Sequence, residues 1–334
     1  MMGTINRQII VNKFSTPEEG VSVREQDYKD PKPKELIIKT GYCPINPADL
    51  NVIEGKYGKL PELPAVIGNE GSGRVIAVGK KCEHFKEGDH VLYMNRQDCW
   101  QEFVTATPDQ IIKLPDSLPL KLSAMLKVNP ATAWLLLNQG IKIESHGWVV
   151  QNASNSGVGV AIIQLAKALG IKTMNFVRRD DCKDKLLSLG ADAVFTDDES
   201  GKIEAAQLIK NKNINLPLAI NAVGGESALR IMSLLSEGGT HITYGAMSKR
   251  PLKIPNSFLI FKNFNIRGLW LSHWLKNEDK SNIEEVYQDL AQKMLDEKLD
   301  QPIDSVYGLE ELKDAIKRSM QEGRNGKVLL KFQS

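Results

Sequence analysis

The sequence predicts an α/β protein in which a doubly wound parallel sheet accompanies a mainly β, barrel-like domain. Two observations predict this fold class. Up to about residue 125 the chain is rich in Gly and Pro, and short β-branched runs alternate with turn signals. From about residue 126 apolar runs alternate with segments of helical periodicity. Such alternation is typical of parallel strands, because each crossover needs a helix to return the chain.

Short strands are expected in the first region, at residues 36–40, 73–78 and 90–94. In the second region the pattern predicts strands at 148–152, 172–177, 193–196, 218–223, 240–245 and 265–271. Helices are expected between them at 157–169, 183–189, 203–210 and 226–235. Two amphipathic helices at 282–296 and 310–321 and a strand at 327–332 follow. We therefore expect a sheet domain of residues 126–265 inserted into a second domain of residues 1–125 and 266–334.

Length and charge restrict the class of protein. A chain of 334 residues suggests two domains, and 42% hydrophobic with 25% charged residues is typical of a globular protein with a sizeable core. The 43 Lys and Arg residues nearly balance the 41 Asp and Glu residues. Such a balance is not that of a dedicated nucleic-acid-binding protein. Apolar runs such as residues 133–137 are too short to cross a bilayer, so neither nucleic acid nor membrane is expected as a partner.

The N-terminal residues and the cysteines predict a cytoplasmic protein. Residues 1–13 are polar and β-like, without the apolar core of a signal peptide or an Arg-rich leader. Cys43, Cys82, Cys99 and Cys182 are scattered without C-x-x-C spacing, as expected of reduced thiols.

A small-residue turn joins the first strand of the predicted sheet to its helix. Residues 153–159 read Ala-Ser-Asn-Ser-Gly-Val-Gly, so that Ser154 and Ser156 stand at the first two glycine positions of a G-x-G-x-x-G pattern ending at Gly159. Such a turn lets the backbone approach a pyrophosphate at a helix N-terminus. Tight packing of helix on strand is the alternative, but the position at the first crossover favours a dinucleotide site.

The end of the second strand indicates which dinucleotide. An acidic residue there is typical of NAD sites, whereas this chain has Arg178 and Arg179. Guanidinium groups pair well with a 2′-phosphate, so NADPH is expected. Asp180 and Asp181 follow and are able to neutralise one arginine, and a solvated basic pair is the alternative.

No metal site is expected, and a tyrosine is the candidate proton donor. In Gly68-Asn69-Glu70-Gly71 an amide stands where a histidine would make a zinc-ligand motif. Tyr57 lies in a glycine-flanked loop of the β domain, where a phenol is able to protonate a carbanion-like carbon; a packing tyrosine is the alternative. Trp270 either walls a pocket or fills core.

Several motifs together carry a family resemblance. They are residues 45–51 (INPADLN), 60–66 running into 68–71, 128–133, 151–159, 243–247 and 270–272. With these motifs the chain resembles the medium-chain dehydrogenase/reductase superfamily, and within it the mitochondrial-type trans-2-enoyl-thioester reductases. The resemblance implies a GroES-like β-barrel catalytic domain and a Rossmann NADPH-binding domain. It also implies a zinc-free site, since Asn46 and Asn69 replace zinc-ligand types, and a homodimer paired through the edge strand near 265–271.

The resemblance further assigns roles to individual positions. Tyr57 is implied as the proton donor. The residues implied to contact NADPH are Asn129, Asn155, Ser156, Gly157, Val158, Arg178, Arg179, Asp180, Tyr244, Gly245, Ala246, Met247, Leu269, Trp270, Leu271 and Lys327. The family pattern Arg-Asp-Arg is replaced here by Arg178-Arg179-Asp180, which leaves the second phosphate contact open.

The implied reaction is hydride transfer from NADPH to the β-carbon of an enoyl-CoA or enoyl-acyl carrier protein, followed by protonation of the α-carbon by Tyr57. Two alternatives stay open at this point. One is a zinc-free NADPH:quinone reductase of the same superfamily, and the other is a non-enzymatic scaffold that binds NADPH. The absence of an organelle leader favours a bacterial cytoplasmic member.

Overall fold

The computed structural model describes residues 5–94, 98–138 and 141–332, which form two compact units. The first unit consists of the chain up to Val128, of Leu275–Glu297 and of the chain from Gln301 onward. The second unit consists of Asn129–Trp274 together with Lys298–Asp300. The second unit thus interrupts the first in sequence.

The strands are β1 (Ile5–Val11), β2 (Val21–Asp27), β3 (Leu36–Pro44), β4 (Ala65–Val66), β5 (Ser72–Val78), β6 (His90–Tyr93), β7 (Phe103–Ala106), β8 (Ile111–Lys113), β9 (Trp148–Gln151), β10 (Lys172–Val177), β11 (Ala193–Thr196), β12 (Leu218–Asn221), β13 (Thr240–Thr243), β14 (Asn265–Gly268), β15 (Ile303–Tyr307) and β16 (Lys327–Lys331). The helices are α1 (Pro47–Ile53), α2 (Leu120–Ser123), α3 (Asn129–Asn138), α4 (Gly157–Ala168), α5 (Lys183–Leu189), α6 (Glu199–Lys212), α7 (Gly225–Ser233), α8 (Asn256–Lys262), α9 (Leu271–Asn277), α10 (Lys280–Leu295) and α11 (Leu312–Met320).

The first unit is mainly β. A seven-stranded sheet has the order β15-β16-β3-β5-β6-β8, with β7 also pairing β3, and a three-stranded sheet has the order β2-β1-β4. The apolar residues of β3 are fully buried, and Trp100 and Tyr93 fill the same core. At Gly73 a Cβ atom would lie 2.3 Å from the Lys39 carbonyl oxygen, so glycine permits the close approach of β5 to β3. The predicted strands of this region are confirmed.

The second unit is the predicted doubly wound sheet. Its six strands are all parallel, in the order β11-β10-β9-β12-β13-β14, and helices alternate with them along the chain. Helix α6 begins at Glu199, earlier than the periodicity predicted, because the Asp198 side chain caps it by accepting a hydrogen bond from the Gly201 N–H at 2.9 Å.

The boundary after this unit differs from the prediction, which placed residues 266–274 in the other domain. Strand β14 pairs with β13, and Asn265 lies opposite Thr240 in register. The Trp274 ring contacts the Trp134 ring, with 6.3 Å between their centroids. Pairing and packing therefore hold this segment in the second unit. Within the described residues, no helix combines the length and apolar character needed to cross a membrane.

Candidate active site

Most of the predicted cofactor residues lie along one edge of the second unit. The segments 155–158, 178–180, 244–247 and 269–271 follow β9, β10, β13 and β14, respectively. Since the strands are parallel, all four segments follow the carboxyl ends of the sheet. The chain order reverses direction at β9, whose neighbours are β10 and β12. In doubly wound sheets, ligands bind outside the carboxyl ends at such a switch point.

The turn between β9 and α4 is shaped for close approach. The Ser156 side chain caps α4 by accepting a hydrogen bond from the Gly159 N–H at 3.2 Å, and a helix N-terminus of this kind suits an anion. Ala153 has a φ of 48°, in the left-handed region that favours glycine. A Cβ atom on Gly159 would lie 2.6 Å from the Ser154 carbonyl oxygen, so only glycine lets the helix pack this tightly on the turn.

A cluster of neutral side-chain amides supports this turn. The amide cluster consists of Gln151, Asn152, Asn175 and Asn221, each fully buried. Gln151 Nε2 donates to the Gly159 carbonyl at 3.0 Å and to Asn175 Oδ1 at 2.8 Å. Asn152 Nδ2 donates to Asn221 Oδ1 at 2.8 Å. The sequence reasoning missed these residues, although polar side chains at the ends of apolar strands were a visible signal.

The two arginines after β10 lie at the surface. Both are exposed, but Arg179 Nε pairs with Asp181 Oδ1 at 3.2 Å. Asp180 pairs with Lys183 at 2.8 Å. Of the two acidic residues that follow the arginines, Asp181 thus engages Arg179, which is the neutralisation the sequence left open.

The remaining predicted cofactor residues lie in different places. Asn129 begins α3 in the second unit and is buried. In the same unit the Tyr244 hydroxyl is buried, and this burial raises the pKa of Tyr244, while the nearby Ser156 side chain limits the rise. The Trp270 side chain is 50% exposed, so it does not fill core. Lys327 begins β16 in the first unit and is therefore not on the carboxyl edge of the parallel sheet.

Tyr57 lies in the first unit, in a loop placed by α1. Helix α1 begins after the N-cap Asn46 with Pro47 at its first position, and the chain then turns at Gly55, where φ is 70°. The half-buried Tyr57 side chain lines a recess of about 20 Å³, which has room for about one water-sized group. The other residues lining the recess are Ala48, Asp49, Val52, Pro61, Ile67, Gly68 and Asn69.

Two buried carboxylates lie next to this recess. Asp49 accepts hydrogen bonds from the backbone N–H groups of Asn46 at 2.8 Å and Asn69 at 2.9 Å. Burial raises the pKa of Asp49 to about 6, and these hydrogen bonds limit the rise. Glu70 accepts from Asn46 Nδ2 at 2.8 Å and from the Val128 N–H at 2.7 Å. Burial raises the pKa of Glu70 as well.

Two ammonium groups balance the carboxylates. Lys127, 3% exposed, donates to the Asn69 carbonyl oxygen at 2.5 Å and lies 3.4 Å from Asn69 Oδ1. The Lys327 ammonium donates to Asn46 Oδ1. Burial lowers the pKa of Lys327, and the nearby Glu70 and Asp49 oppose this effect. Asp49, Glu70, Lys127 and Lys327 form what is called here the charged cluster, and the sequence reasoning missed it as a unit.

Comparison with known proteins agrees with this architecture. Residues 32–116 match the family described as alcohol dehydrogenase GroES-like domain, and residues 157–292 match the zinc-binding dehydrogenase family. The mitochondrial enoyl-[acyl-carrier-protein] reductase of Rattus norvegicus is 38% identical over 320 residues, covering 94% of this chain and 85% of the relative.

Solved structures agree as well. A complex of Etr1p with NADP and crotonyl-CoA is 28% identical, with a TM-score of 0.89 over 98% of this chain and 100% of that one. A mitochondrial 2-enoyl thioester reductase Etr1p/Etr2p heterodimer from Candida tropicalis is 27% identical, with a TM-score of 0.88 and the same two coverages.

The fold and these matches define an oxidoreductase of the medium-chain dehydrogenase/reductase superfamily. Within it the chain belongs to the family of enoyl-[acyl-carrier-protein] reductases, and the NADP in the Etr1p complex agrees with the expected cofactor, NADPH. The resemblance stated from the sequence motifs is confirmed, and the enzyme assignment argues against a non-enzymatic scaffold.

The expected cytoplasmic location is wrong. The curated relatives from Rattus norvegicus, Homo sapiens and Caenorhabditis elegans are all named mitochondrial proteins, which points to a mitochondrial location. The expectation rested on a missing leader pattern, whereas the similarity to these relatives extends over nearly the whole chain.

One matching family is described as zinc-binding, so the residues at the zinc-ligand positions of this chain are compared with what zinc requires. Asn46 and Asn69, the amides at zinc-ligand positions, each have a side-chain oxygen next to a lysine ammonium group. A divalent cation would be repelled by both ammonium groups. Across residues 5–94, 98–138 and 141–332, no three His, Cys, Asp or Glu side chains are grouped to hold a metal ion. The residues present at this position do not fit zinc.

Proposed function

We propose that this chain reduces the α,β double bond of trans-2-enoyl thioesters with NADPH and that Tyr57 donates the proton to the α-carbon. The observation that carries the proposal is the recess in which Tyr57 and Asp49 are the titratable side chains. Both carboxylate oxygens of Asp49 accept hydrogen bonds from backbone N–H groups. Because its pKa is about 6, Asp49 is largely ionised at neutral pH. The Tyr57 hydroxyl is therefore the group of this recess that we assign as the proton donor.

The steps balance with one proton from the protein. When bound, NADPH supplies a hydride with its electron pair to the β-carbon of the substrate. The alkene electron pair moves toward the thioester carbonyl, which becomes an enolate. The Tyr57 O–H bond then breaks as the α-carbon–hydrogen bond forms, and the resulting phenolate regains a proton from solvent.

The carboxyl edge of the parallel sheet supports the assignment of the cofactor residues. The N–H groups of the turn at residues 155–158 suit the pyrophosphate, and Arg178 suits the 2′-phosphate. The segments 244–247 and 269–271 follow neighbouring strands of the same edge. Asn129, Arg179, Asp180 and Lys327 are assigned by resemblance, and Lys327 has its ammonium in the charged cluster.

The proposed assembly is a homodimer. Strand β14 is at the edge of its sheet, and the nearby helix α8 exposes Leu259, Ile260 and Phe261 at 45%, 69% and 78%. An edge strand beside apolar side chains suits pairing with a symmetry mate. Light scattering at micromolar concentration is expected to give twice the chain mass, and a monomer would contradict the proposal.

Replacing Tyr57 tests the reaction. Tyr57→Phe keeps the ring and removes the hydroxyl, so turnover of crotonyl-CoA and of the matching acyl carrier protein thioester should fall by about 10²–10⁴-fold. The melting temperature and NADPH affinity should stay as in the wild type. Reduction of a small quinone should change little, because a reduced quinone takes its protons from solvent.

Tyr28→Phe is the matched control, since Tyr28 is a half-buried tyrosine of the same unit that stacks on Phe103. Near wild-type thioester reduction by Tyr57→Phe would show that Tyr57 is only a loop residue. An equal loss on both substrates would indicate a damaged pocket. A wild type that reduces quinones but not enoyl thioesters would favour the quinone reductase alternative.

A further inference from the structure

We propose that the side-chain amide of Asn69 donates the hydrogen bond that stabilises the enolate oxygen of the substrate, and that Lys127 positions this amide. The inference rests on the proposed function, in which negative charge develops on the thioester oxygen. Such a reaction is accelerated by a fixed donor aimed at the oxygen where that charge appears.

Asn69 has its other polar groups engaged. Its backbone N–H donates to Asp49 Oδ1 at 2.9 Å, and its backbone carbonyl accepts from Lys127 Nζ at 2.5 Å. Its Oδ1 lies 3.4 Å from the same ammonium. The two N–H bonds of Asn69 Nδ2 have no partner among the described residues, and the side chain is half-buried, so these N–H bonds are able to donate to a substrate.

Lys127 determines which way the amide faces. An ammonium group has donors and no acceptor, so only the oxygen end of the amide is compatible with it. The Nδ2 end is thereby turned away from Lys127. Because Lys127 is 3% exposed, its charge is poorly screened by water, and it polarises the amide in the sense that strengthens the N–H donors.

The recess has room for the substrate oxygen that Asn69 would stabilise. Its space of about 20 Å³ accepts a single oxygen-sized group, and both Tyr57 and Asn69 line it. Most of its other lining residues are apolar, so a hydrogen bond formed there competes little with water. The one carboxylate, Asp49, has both oxygens occupied by backbone N–H groups.

Asn69 does not suit zinc, but its side-chain amide suits hydrogen bonding to a substrate oxygen. At the position where a histidine would make a zinc-ligand motif, this chain has an amide whose oxygen lies next to the Lys127 ammonium. Lys127 thus supplies positive charge where a metal ion would otherwise do so, and it acts on the substrate oxygen by polarising the N–H bonds of the Asn69 amide.

The test measures hydride transfer directly, from the loss of NADPH absorbance in a single turnover with crotonyl-CoA. Asn69→Ala should slow this step by about 10²–10³-fold, as expected for loss of one oxyanion donor. The effect should appear in kcat and not in the KM for crotonyl-CoA, since the charge is absent from the ground state. NADPH affinity and melting temperature should match those of Asn12→Ala, an exposed asparagine of the same unit.

The positioning role of Lys127 is tested by a change in kcat at constant KM, which a purely structural role would not produce. Lys127→Met should reduce kcat by about tenfold or more with unchanged KM, and Lys127→Arg should restore part of the loss because it returns the charge. If Asn69→Ala does not fold, Asn69→Leu fills the same volume without a donor and is expected to show the same loss.

The outcomes separate this inference from the proposed function. Single-turnover rates of the Asn69 variants within threefold of the wild type would overturn the inference, as would a loss confined to KM or to NADPH binding. A wild type unable to reduce crotonyl-CoA would overturn the proposed function itself. Normal wild-type turnover together with a kcat loss in Asn69→Ala supports both.

Discussion

The two proposed sites, one in each unit, bury polar groups in opposite ways. The first unit buries formal charges, with two carboxylates and two ammonium groups in the charged cluster. The second unit buries neutral amides beneath the edge proposed for the cofactor and keeps Arg178 and Arg179 exposed.

The contrast follows from where each site's charge originates. NADPH brings its own phosphates, so the second unit needs fixed loop positions and surface cations. In the proposed reaction the enoyl thioester acquires its charge only as it reacts, so the site proposed in the first unit would have to provide positive charge in advance. Buried charges are expensive to desolvate, and partners on every side are what makes the charged cluster tolerable.

The contrast between the charged cluster and the amide cluster is tested most directly by removing one member of each. Glu70→Ala leaves Lys127 and Lys327 short of a counter-charge, and we expect a loss of about 3–5 kcal/mol in the free energy of unfolding. Asn152→Ala in the amide cluster leaves neutral groups unpaired and should cost about 1–3 kcal/mol. Urea denaturation of both variants measures the difference, and equal losses would show that charge is not what distinguishes the clusters.

A second prediction uses pH to separate the units. His241 in β13 is fully buried, neither ring nitrogen has a hydrogen-bond partner among the described residues, and burial lowers its pKa to about 4. The unfolded chain binds a proton near pH 6.5, so His241 makes the free energy of unfolding rise with pH between about 4 and 6.5. Asp49, with its pKa raised to about 6, acts in the opposite sense over nearly the same range.

His241→Leu should therefore remove a rise of about 3 kcal/mol in the free energy of unfolding across that range and leave the opposing effect of Asp49. Urea titrations at pH 4.5, 5.5 and 7 measure it. The exposed His84 supplies the control, and His84→Leu should leave the slope unchanged. A slope in His241→Leu equal to that of the wild type would mean that the buried imidazole is protonated as easily as a solvated one.

The smallest effect is expected at the surface cations. Arg178→Ala should raise the KM for NADPH by an amount equivalent to about 2 kcal/mol, with little change for NADH, because a charge-assisted hydrogen bond to the 2′-phosphate is lost. Arg179→Ala should do less, since Arg178 directly follows β10 and is the residue assigned to the 2′-phosphate. Steady-state kinetics with both cofactors check the order, and a larger effect at Arg179 would reverse the assignment.

The sequence predicted the second unit more fully than the first. Strand and helix alternate there with clear periodicity, so β9 to β13 and their helices were found, and the turn at residues 153–159 lies on the edge proposed for the cofactor. The charged cluster was out of reach because Asp49, Glu70, Lys127 and Lys327 are far apart in sequence and each resembles an ordinary surface residue. Asn69 was noticed only as a missing metal ligand. Its lysine partner required the fold.

Strand β16 also bears on how the protein is synthesised. It pairs with the carboxyl-terminal part of β3, Leu329 opposite Pro44, and it carries Lys327 into the charged cluster. About 285 residues separate these partners, so at ordinary translation rates roughly 15–60 s pass between their emergence. Residues 129–274 of the second unit are translated within that interval. On the ribosome, a nearly complete second unit is therefore tethered to an unfinished β unit, in which the end of β3 at Tyr42–Pro44 still lacks its β16 partner.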